Sequence, residues 1–533
     1  MKRSLRSLSA FVLMTPGLFG ASPMEPTTPN PGLRYYYDVP KANPPQKITV
    51  DVAIYGGTPA GVGAAVQARR MGKTCALMVF RRHVGGLTSA GLTAVDLGKA
   101  DSIGGMAAEF LNRVGKWTGF RAADAEKTFR AMLSEADVPV YFEHRLAAVE
   151  KEGNQIRALV FENGNRVEAK TFIDATYEGD LLARAGVSYH VGREDNSVYA
   201  EENNGFYIAK SHQFRFPVDP YRVAGDPSSG LLPGISSEPA RRAGIGDKSV
   251  QAYNFRMWLT DVSEGRPYPK PIGYNRDDYA LLLRYLTSAP EGFLWDFTYK
   301  NGPIKLNRGD CNSAGPISTD FVGGSNDWPE GDYATRERIF QAHVNYQQGM
   351  LWFLANDMEV PEKVRAVPHK FGLPKDQFEE TDGWPHELYV REGRRMVSDY
   401  VMTEHDCRGE RRAEDSVGLA SYTMDSHHTS RVIVDGVLQA EGNVEVHVPK
   451  PYPVSYRSIV PREKECANLL VPVAVSSSHM AFGSIRMEPV FMLLGQSAAT
   501  AAAMAIDAKV SVQKVDYGLL RERLLKDGQK LSQ

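Results

Sequence analysis

Val50-Asp51-Val52-Ala53-Ile54-Tyr55-Gly56-Gly57-Thr58-Pro59-Ala60-Gly61 is the stretch that decides the fold. Residues 50–55 form a short, largely apolar run, which suits a central parallel strand buried on both faces. Residues 62–71 are rich in alanine and read as a helix closed by Gly72. Residues 74–80 are a second apolar strand. The three make one βαβ unit with a tight glycine turn in its first loop.

Such a turn lets backbone amides at a helix N-terminus approach a dinucleotide pyrophosphate, where side chains would block contact. Gly56 permits the turn, and Gly61 permits close packing of helix on strand. Thr58 replaces the middle glycine of GxGxxG, and its hydroxyl can donate to phosphate. The second strand ends Met78-Val79-Phe80 and is followed by Arg81-Arg82-His83. The acid that usually holds the adenosine ribose is absent. Paired arginines at that place could face a phosphate, so the loop by itself leaves NADP open.

Downstream, residues 146–149, 156–161 and 167–173 are separated by Gly153-Asn154 and Asn163-Gly164, two strong hairpin signals. They predict a three-stranded meander running into Asp174-Ala175-Thr176. Residues 189–440 are rich in aromatics, Pro, Asn and Gly, with helical patches at 278–287 and 336–356. This region reads as a substrate-facing cap of mixed α+β structure. Residues 469–475 form a late apolar strand. Residues 489–506 form an Ala-rich buried helix containing Gly495. The expected class is α/β: a Rossmann-like dinucleotide domain, βαβ plus meander, over 47–188, followed by the cap. The chain shows no internal repeat and no low-complexity block.

Lys2, Arg3 and Arg6, the mostly apolar run 10–19 and the small residues Gly20, Ala21 and Ser22 predict an export signal over 1–22. The run is too short for a comfortable membrane span. A Pro-, Asn- and Thr-rich linker over 23–46 follows, and the expected location is periplasmic or secreted. The 533 residues carry a formal net charge of -2, which argues against a nucleic-acid partner. Cys75, Cys311, Cys407 and Cys466 are scattered without a CxxC pair, so neither zinc nor a redox dithiol is indicated. They are expected as buried or free thiols, with a disulfide or two open to an exported protein. Adjacent His427-His428 lack a carboxylate partner at ligand spacing, and no metal site is expected.

Several segments resemble a known family. The run from Arg81 to Leu92, RRHVGGLTSAGL, is similar to the loop after the second strand in FAD-dependent oxidoreductases of the glutathione-reductase-like superfamily. Closer still is a bacterial FAD-dependent oxidoreductase family, some members of which are labelled xanthan lyase. Residues 174–187 (DATYEGDLLARAGV), 415–427, 451–458 and 478–489 (SHMAFGSIRMEP) resemble that family in the same order along the chain. Thr58, Val79-Phe80 and Tyr177 depart from the superfamily pattern.

The resemblance implies FAD and a Rossmann-like flavin domain split by the cap, with residues 47–188 and 441–533 supplying its two parts. Gly56, Gly57, Thr58, Ala60 and Gly61 would cradle the pyrophosphate, with Arg81, Arg82 and His83 in the next loop. Gly85, Gly86 and Leu87 would pass beside the flavin. Ala175, Thr176 and Asp180 would reach the cofactor from the meander. A helix beginning near Met487, Glu488 and Pro489 would aim its positive end at N1 and O2 of reduced flavin, with Gly495 as a small residue along it. His83 offers either a covalent flavin link or a plain loop contact. His479 and Arg486 are the first candidates for substrate chemistry, as a base for a hydroxyl proton and as a group orienting a carboxylate or oxyanion. Tyr456 and Arg457 are the second.

The expected activity is a dehydrogenase or oxidase of a small polar, carbohydrate-like substrate, with no second glycine fingerprint for a nicotinamide. Two alternatives stand beside it. One is a polysaccharide lyase using Tyr456, His479 and Arg486. The other is a non-catalytic carbohydrate-binding protein on a flavoprotein scaffold.

Overall fold

The computed structural model describes residues 32–297 and 302–532. The expected export signal, and the expected linker as far as residue 31, lie outside them.

Strand β1 (Lys47–Tyr55), helix α1 (Pro59–Arg70) and strand β2 (Cys75–Met78) form the expected βαβ unit. Helix α1 starts three residues earlier than its apolar pattern suggested. Thr58 is its N-cap and Pro59 its first residue, both favoured there. Strands β3 (Val140–Tyr141) and β2 extend the parallel sheet on one side of β1, and β6 (Arg166–Asp174) on the other.

Strand β6 serves two neighbours. Its first half pairs antiparallel with β5 (Gln155–Phe161), which pairs with β4 (Leu146–Glu152); this is the predicted meander. Its second half pairs parallel with Leu469–Leu470, brought back from beyond the cap. The late strand is thus only two residues long where seven were expected.

Alternation along β1 divides the interior. Val52 and Ile54 join the larger core with α1, whereas Ala53 and Tyr55 join a second core with Leu146, Leu159 and Phe161 of the meander. A strand buried on both faces needs the continuous apolar run seen in the sequence.

The C-terminal helix Glu488–Ala508 lies on α1. A Cβ at Gly495 would sit 2.1 Å from Ala60 O, and one at Gly63 would sit 2.9 Å from Met492 O. Small residues there serve helix-to-helix approach. The same helix is long and apolar enough to cross a membrane, but 89% of its apolar window is buried inside the protein. It is a core helix.

The cap consists of short antiparallel pairs around the long helix Tyr333–Asn356. Asp180, opening the short helix Asp180–Arg184, ties it down. Its carboxylate accepts from Arg336 at 2.7 and 2.9 Å and from Arg394 at 3.0 Å, all three side chains buried. Residues 33–37, in the stretch expected as linker, pack against the body. Tyr35 is 4% exposed, stacks on Phe80 at 4.8 Å, and donates its backbone N–H to Glu337 of the long helix. Three consecutive tyrosines anchor what the surrounding prolines would otherwise leave extended.

Candidate active site

The glycine turn has the geometry of a pyrophosphate cradle. Gly56 has φ +116°, and a Cβ there would lie 2.4 Å from Ala175 O. A Cβ at Gly61 would lie 1.9 Å from Gly56 O. Neither position admits a side chain, so the α1 N-terminus, with Ala60 in its first turn, sits directly behind the turn. Gly57 at the tip retains partial exposure. The Thr58 hydroxyl is turned inward: it donates to Ala175 O at 2.7 Å and accepts from Gly61 N at 3.4 Å. Its proton is committed, so Thr58 offers an anion only its backbone. Thr176 likewise turns to Asp174, donating from both N and Oγ1.

The loop after β2 is tightly tied. Gly85 N donates to Gly57 O at 2.6 Å, and Leu87 N donates to the Tyr177 hydroxyl at 3.0 Å. A Cβ at Gly86 would meet that hydroxyl at 2.2 Å. Both arginines that could have faced a phosphate hold carboxylates instead, Arg81 with Glu387 at 2.7 Å and Arg82 with Glu143 at 2.8 Å. His83 has both ring nitrogens engaged, Nδ1 with Glu126 at 3.0 Å and Nε2 with Glu380 at 2.9 Å. Burial works against the His83 cation, but the two carboxylates prevail and lift its pKa to about 9.

His83, Glu380 and His386 bring ligand-type atoms within 4.8 Å of one another. The two imidazoles, however, are stacked at 3.8 Å and only 18° from parallel. An ion must lie in the plane of each ring it binds, so this arrangement is not a preformed metal site.

At the foot of the C-terminal helix, Met487 is the N-cap and Glu488 occupies the first turn. Glu488 is buried. It accepts from the Tyr177 hydroxyl at 2.9 Å and from Thr88 Oγ1 at 3.0 Å. Burial pushes its pKa up to about 8. In the neutral form it leaves the positive end of the helix uncancelled.

The four residues expected to do substrate chemistry separate. Tyr456 is buried and donates to Val512 O. Arg457 lies at the surface, paired with Asp415 at 2.9 Å. His479 is 1% exposed, with Nδ1 against Glu392 at 2.8 Å; Gln251 links Glu392 to the backbone N–H of His427. His479 therefore stands one layer behind. Arg486 alone lines a cavity. Its Nη2 holds Asp425 at 2.7 Å and its Nη1 donates to the Tyr389 hydroxyl at 3.0 Å.

That cavity is a polar chamber of about 180 Å³ between the cap and the start of the C-terminal helix. At its wall His427 Nδ1 meets Asp320 Oδ2 at 2.6 Å, while Nε2 is 3.6 Å from Asp425 Oδ2, beyond hydrogen-bond range. Arg391 holds the other oxygen of Asp320 at 3.1 Å. Burial would raise the pKa of Asp320 and of Asp425, yet interaction with His427, Arg391 and Arg486 pulls both well below the usual carboxylate range. Asp320, Asp425, His427 and Arg391 were not singled out in the sequence as reacting groups. The signals were the adjacent His427-His428, the family-like segment 415–427, and the charged run Arg391-Glu392-Gly393-Arg394-Arg395 inside a region that must bury much of itself.

A parallel sheet with a glycine turn, a helix N-terminus behind that turn and a polar chamber at the cap boundary define a dinucleotide-dependent enzyme. The model of the FAD dependent oxidoreductase family matches residues 51–524, and the chain belongs to that family. FAD is accordingly its cofactor, and the glycine cradle fits the pyrophosphate. No curated protein matches the chain. Among solved structures it is similar to a flavin monooxygenase from Stenotrophomonas maltophilia (19% identity, 24% of this chain and 38% of that one, TM-score 0.19). It is also similar to Thermovibrio ammonificans THI4 (22%, 29% and 71%, TM-score 0.23) and Mycobacterium smegmatis Sdh1 (12%, 28% and 42%, TM-score 0.22). The chain thus spans well under half the length of the monooxygenase.

Proposed function

We propose that the enzyme is a dehydrogenase or oxidase that removes a hydride and a proton from a hydroxyl-bearing carbon of a small polar substrate held in the chamber. The observation that carries this reading is His427, a residue of the chamber lining fixed by Asp320 through Nδ1, with Nε2 beyond hydrogen-bond range of Asp425 at 3.6 Å. With Nδ1–H donated to Asp320, the Nε2 lone pair is free to take a hydroxyl proton. Asp320 holds that tautomer and favours the imidazolium formed. Arg486 and Tyr389 face the same space and would orient substrate oxygens. Bound FAD supplies the hydride acceptor. Gly56, Gly57, Ala60 and Gly61 would hold its pyrophosphate, and Leu87 and the foot of the C-terminal helix would lie toward its reactive end. A cavity of about 150 Å³ takes one six-membered ring, so the chamber suits a single sugar-sized unit.

The parallel sheet with an antiparallel meander supports kinship with the glutathione-reductase-like branch of flavoproteins. Export to the periplasm or beyond is part of the proposal. It rests on the charge and apolar pattern of residues 1–22, and N-terminal sequencing of the mature protein tests it.

The decisive experiment is anaerobic titration of the purified yellow holoenzyme with polyols, sugars and sugar acids. Bleaching of the flavin band by one class, abolished in His427→Asn, is the expected result. A protein that neither retains FAD nor bleaches with any of them overturns the proposal.

A further inference from the structure

We infer that the chamber selects a carboxylate-bearing polyol, a sugar acid or comparable hydroxy acid, over a neutral sugar. The inference rests on the chamber being the substrate site.

Four residues that line it each carry a buried side-chain nitrogen without a hydrogen-bond partner: Arg256 Nε, Arg486 Nε, Asn443 Nδ2 and His428 Nε2. Arg256 is 4% exposed and Arg486 3%. All four atoms are nitrogens, and the three on arginine and asparagine can only donate. Among the described residues, no buried side-chain oxygen of the lining is left in the same condition. Buried donors without acceptors are costly, and native proteins rarely keep them without a ligand, ion or water to serve. A lining short only of acceptors matches a ligand rich in them.

The acidic groups of the wall do not oppose this. Asp310 is held by Arg256 and Lys305, Asp320 by Arg391 and His427, Asp425 by Arg486, and Glu445 by His212. Asp96 has no cation paired to it, and burial raises its pKa toward the neutral form. The guanidinium of Arg486 spends one Nη on Asp425 and one on Tyr389 and keeps Nε–H over. Arg256 spends Nη2 on Asp310 and also keeps Nε–H. Two planar donors with spare N–H groups suit a carboxylate better than a hydroxyl, which brings a proton of its own that needs an acceptor.

The test is calorimetric titration of the oxidised holoenzyme, without electron acceptor, using D-gluconate and D-galacturonate against D-glucose, D-galactose and methyl galacturonate. The acids should bind at least about tenfold tighter than the neutral sugars and the ester, the gain expected of one charge-assisted hydrogen bond. Asn443→Ala and Arg486→Lys should each weaken acid binding several-fold and narrow the gap to the neutral sugars. Circular dichroism and flavin retention check that both variants fold.

Equal or tighter binding of the neutral sugars overturns the inference, as does failure of both acids to bind saturably. Acids that bind without bleaching the flavin uphold this specificity and sink the redox assignment. Neutral sugars that bleach it while acids do not bind have the opposite meaning.

Discussion

Glu488→Gln should remove a pH dependence of stability that the wild-type enzyme carries. In the fold the Glu488 carboxyl is enclosed with Tyr177 and Thr88, and burial lifts its pKa from 4.5 to about 8. The folded state therefore holds this proton more tightly than the unfolded chain. Stability from that preference is fully present below pH 4.5 and is lost as pH rises through about 8. At about 1.4 kcal/mol per pH unit, the whole interval is on the order of 5 kcal/mol. Glutamine keeps the shape and stays uncharged, so the variant lacks this term while sharing every other titrating group, including buried Asp174 and Glu178. The difference in unfolding free energy between wild type and Glu488→Gln, from urea titrations at pH 5, 6.5, 8 and 9, should shift toward the variant by roughly 4 kcal/mol across the series. Infrared difference spectra should show a protonated carboxylic acid band that fades near pH 8 in the wild type and is missing from the variant. A wild-type-to-variant difference that stays flat from pH 5 to 9, with no such band, would refute a neutral Glu488. An ionised Glu488 would then offset the positive end of its own helix dipole.

Asp320→Asn should lower kcat/KM by about 10²–10⁴-fold, because His427 loses the partner that fixes its tautomer; unchanged kinetics would exclude His427 as base. Asp180→Ala leaves Arg336 and Arg394 buried without their anion and should cost about 3–5 kcal/mol, read as a lowered Tm. Gly495→Ala puts a methyl 2.1 Å from Ala60 O, where ordinary contact begins at 3.4 Å. It should part the two helices, cost about 1–3 kcal/mol and loosen FAD retention on gel filtration. Acid precipitation should release the flavin into the supernatant, since both His83 nitrogens are engaged by carboxylates; a yellow pellet would contradict that arrangement.

The dinucleotide half of this protein was legible because its signals are local. An apolar run buried on both faces, a glycine turn that tolerates no Cβ at Gly56 or Gly61, and hairpin dipeptides at Gly153-Asn154 and Asn163-Gly164 each express backbone sterics within a few residues. The resemblance of several segments, in order, to a known family also foretold the return of a late strand and an alanine-rich helix to complete the domain. Thr58 was legible as a departure, but its inward hydroxyl depended on Ala175, more than a hundred residues away.

The chamber depended on tertiary structure throughout. His427, Asp320, Arg391 and Arg486 come from four separate stretches, and nothing in their local sequence marks one as facing solvent and another as facing a cavity. His479 and Arg486 lie seven residues apart and looked equally suited to chemistry, yet a single helix turns one toward Glu392 in the layer behind and the other into the chamber. Sequence alone determined the βαβ unit, the meander and the cradle, because short-range geometry dictates them, and the family resemblance pointed to FAD. Which charges meet, which are neutralised and which donors stay unpaired was decided only by folding, because electrostatic partnership depends on distance in space and on burial.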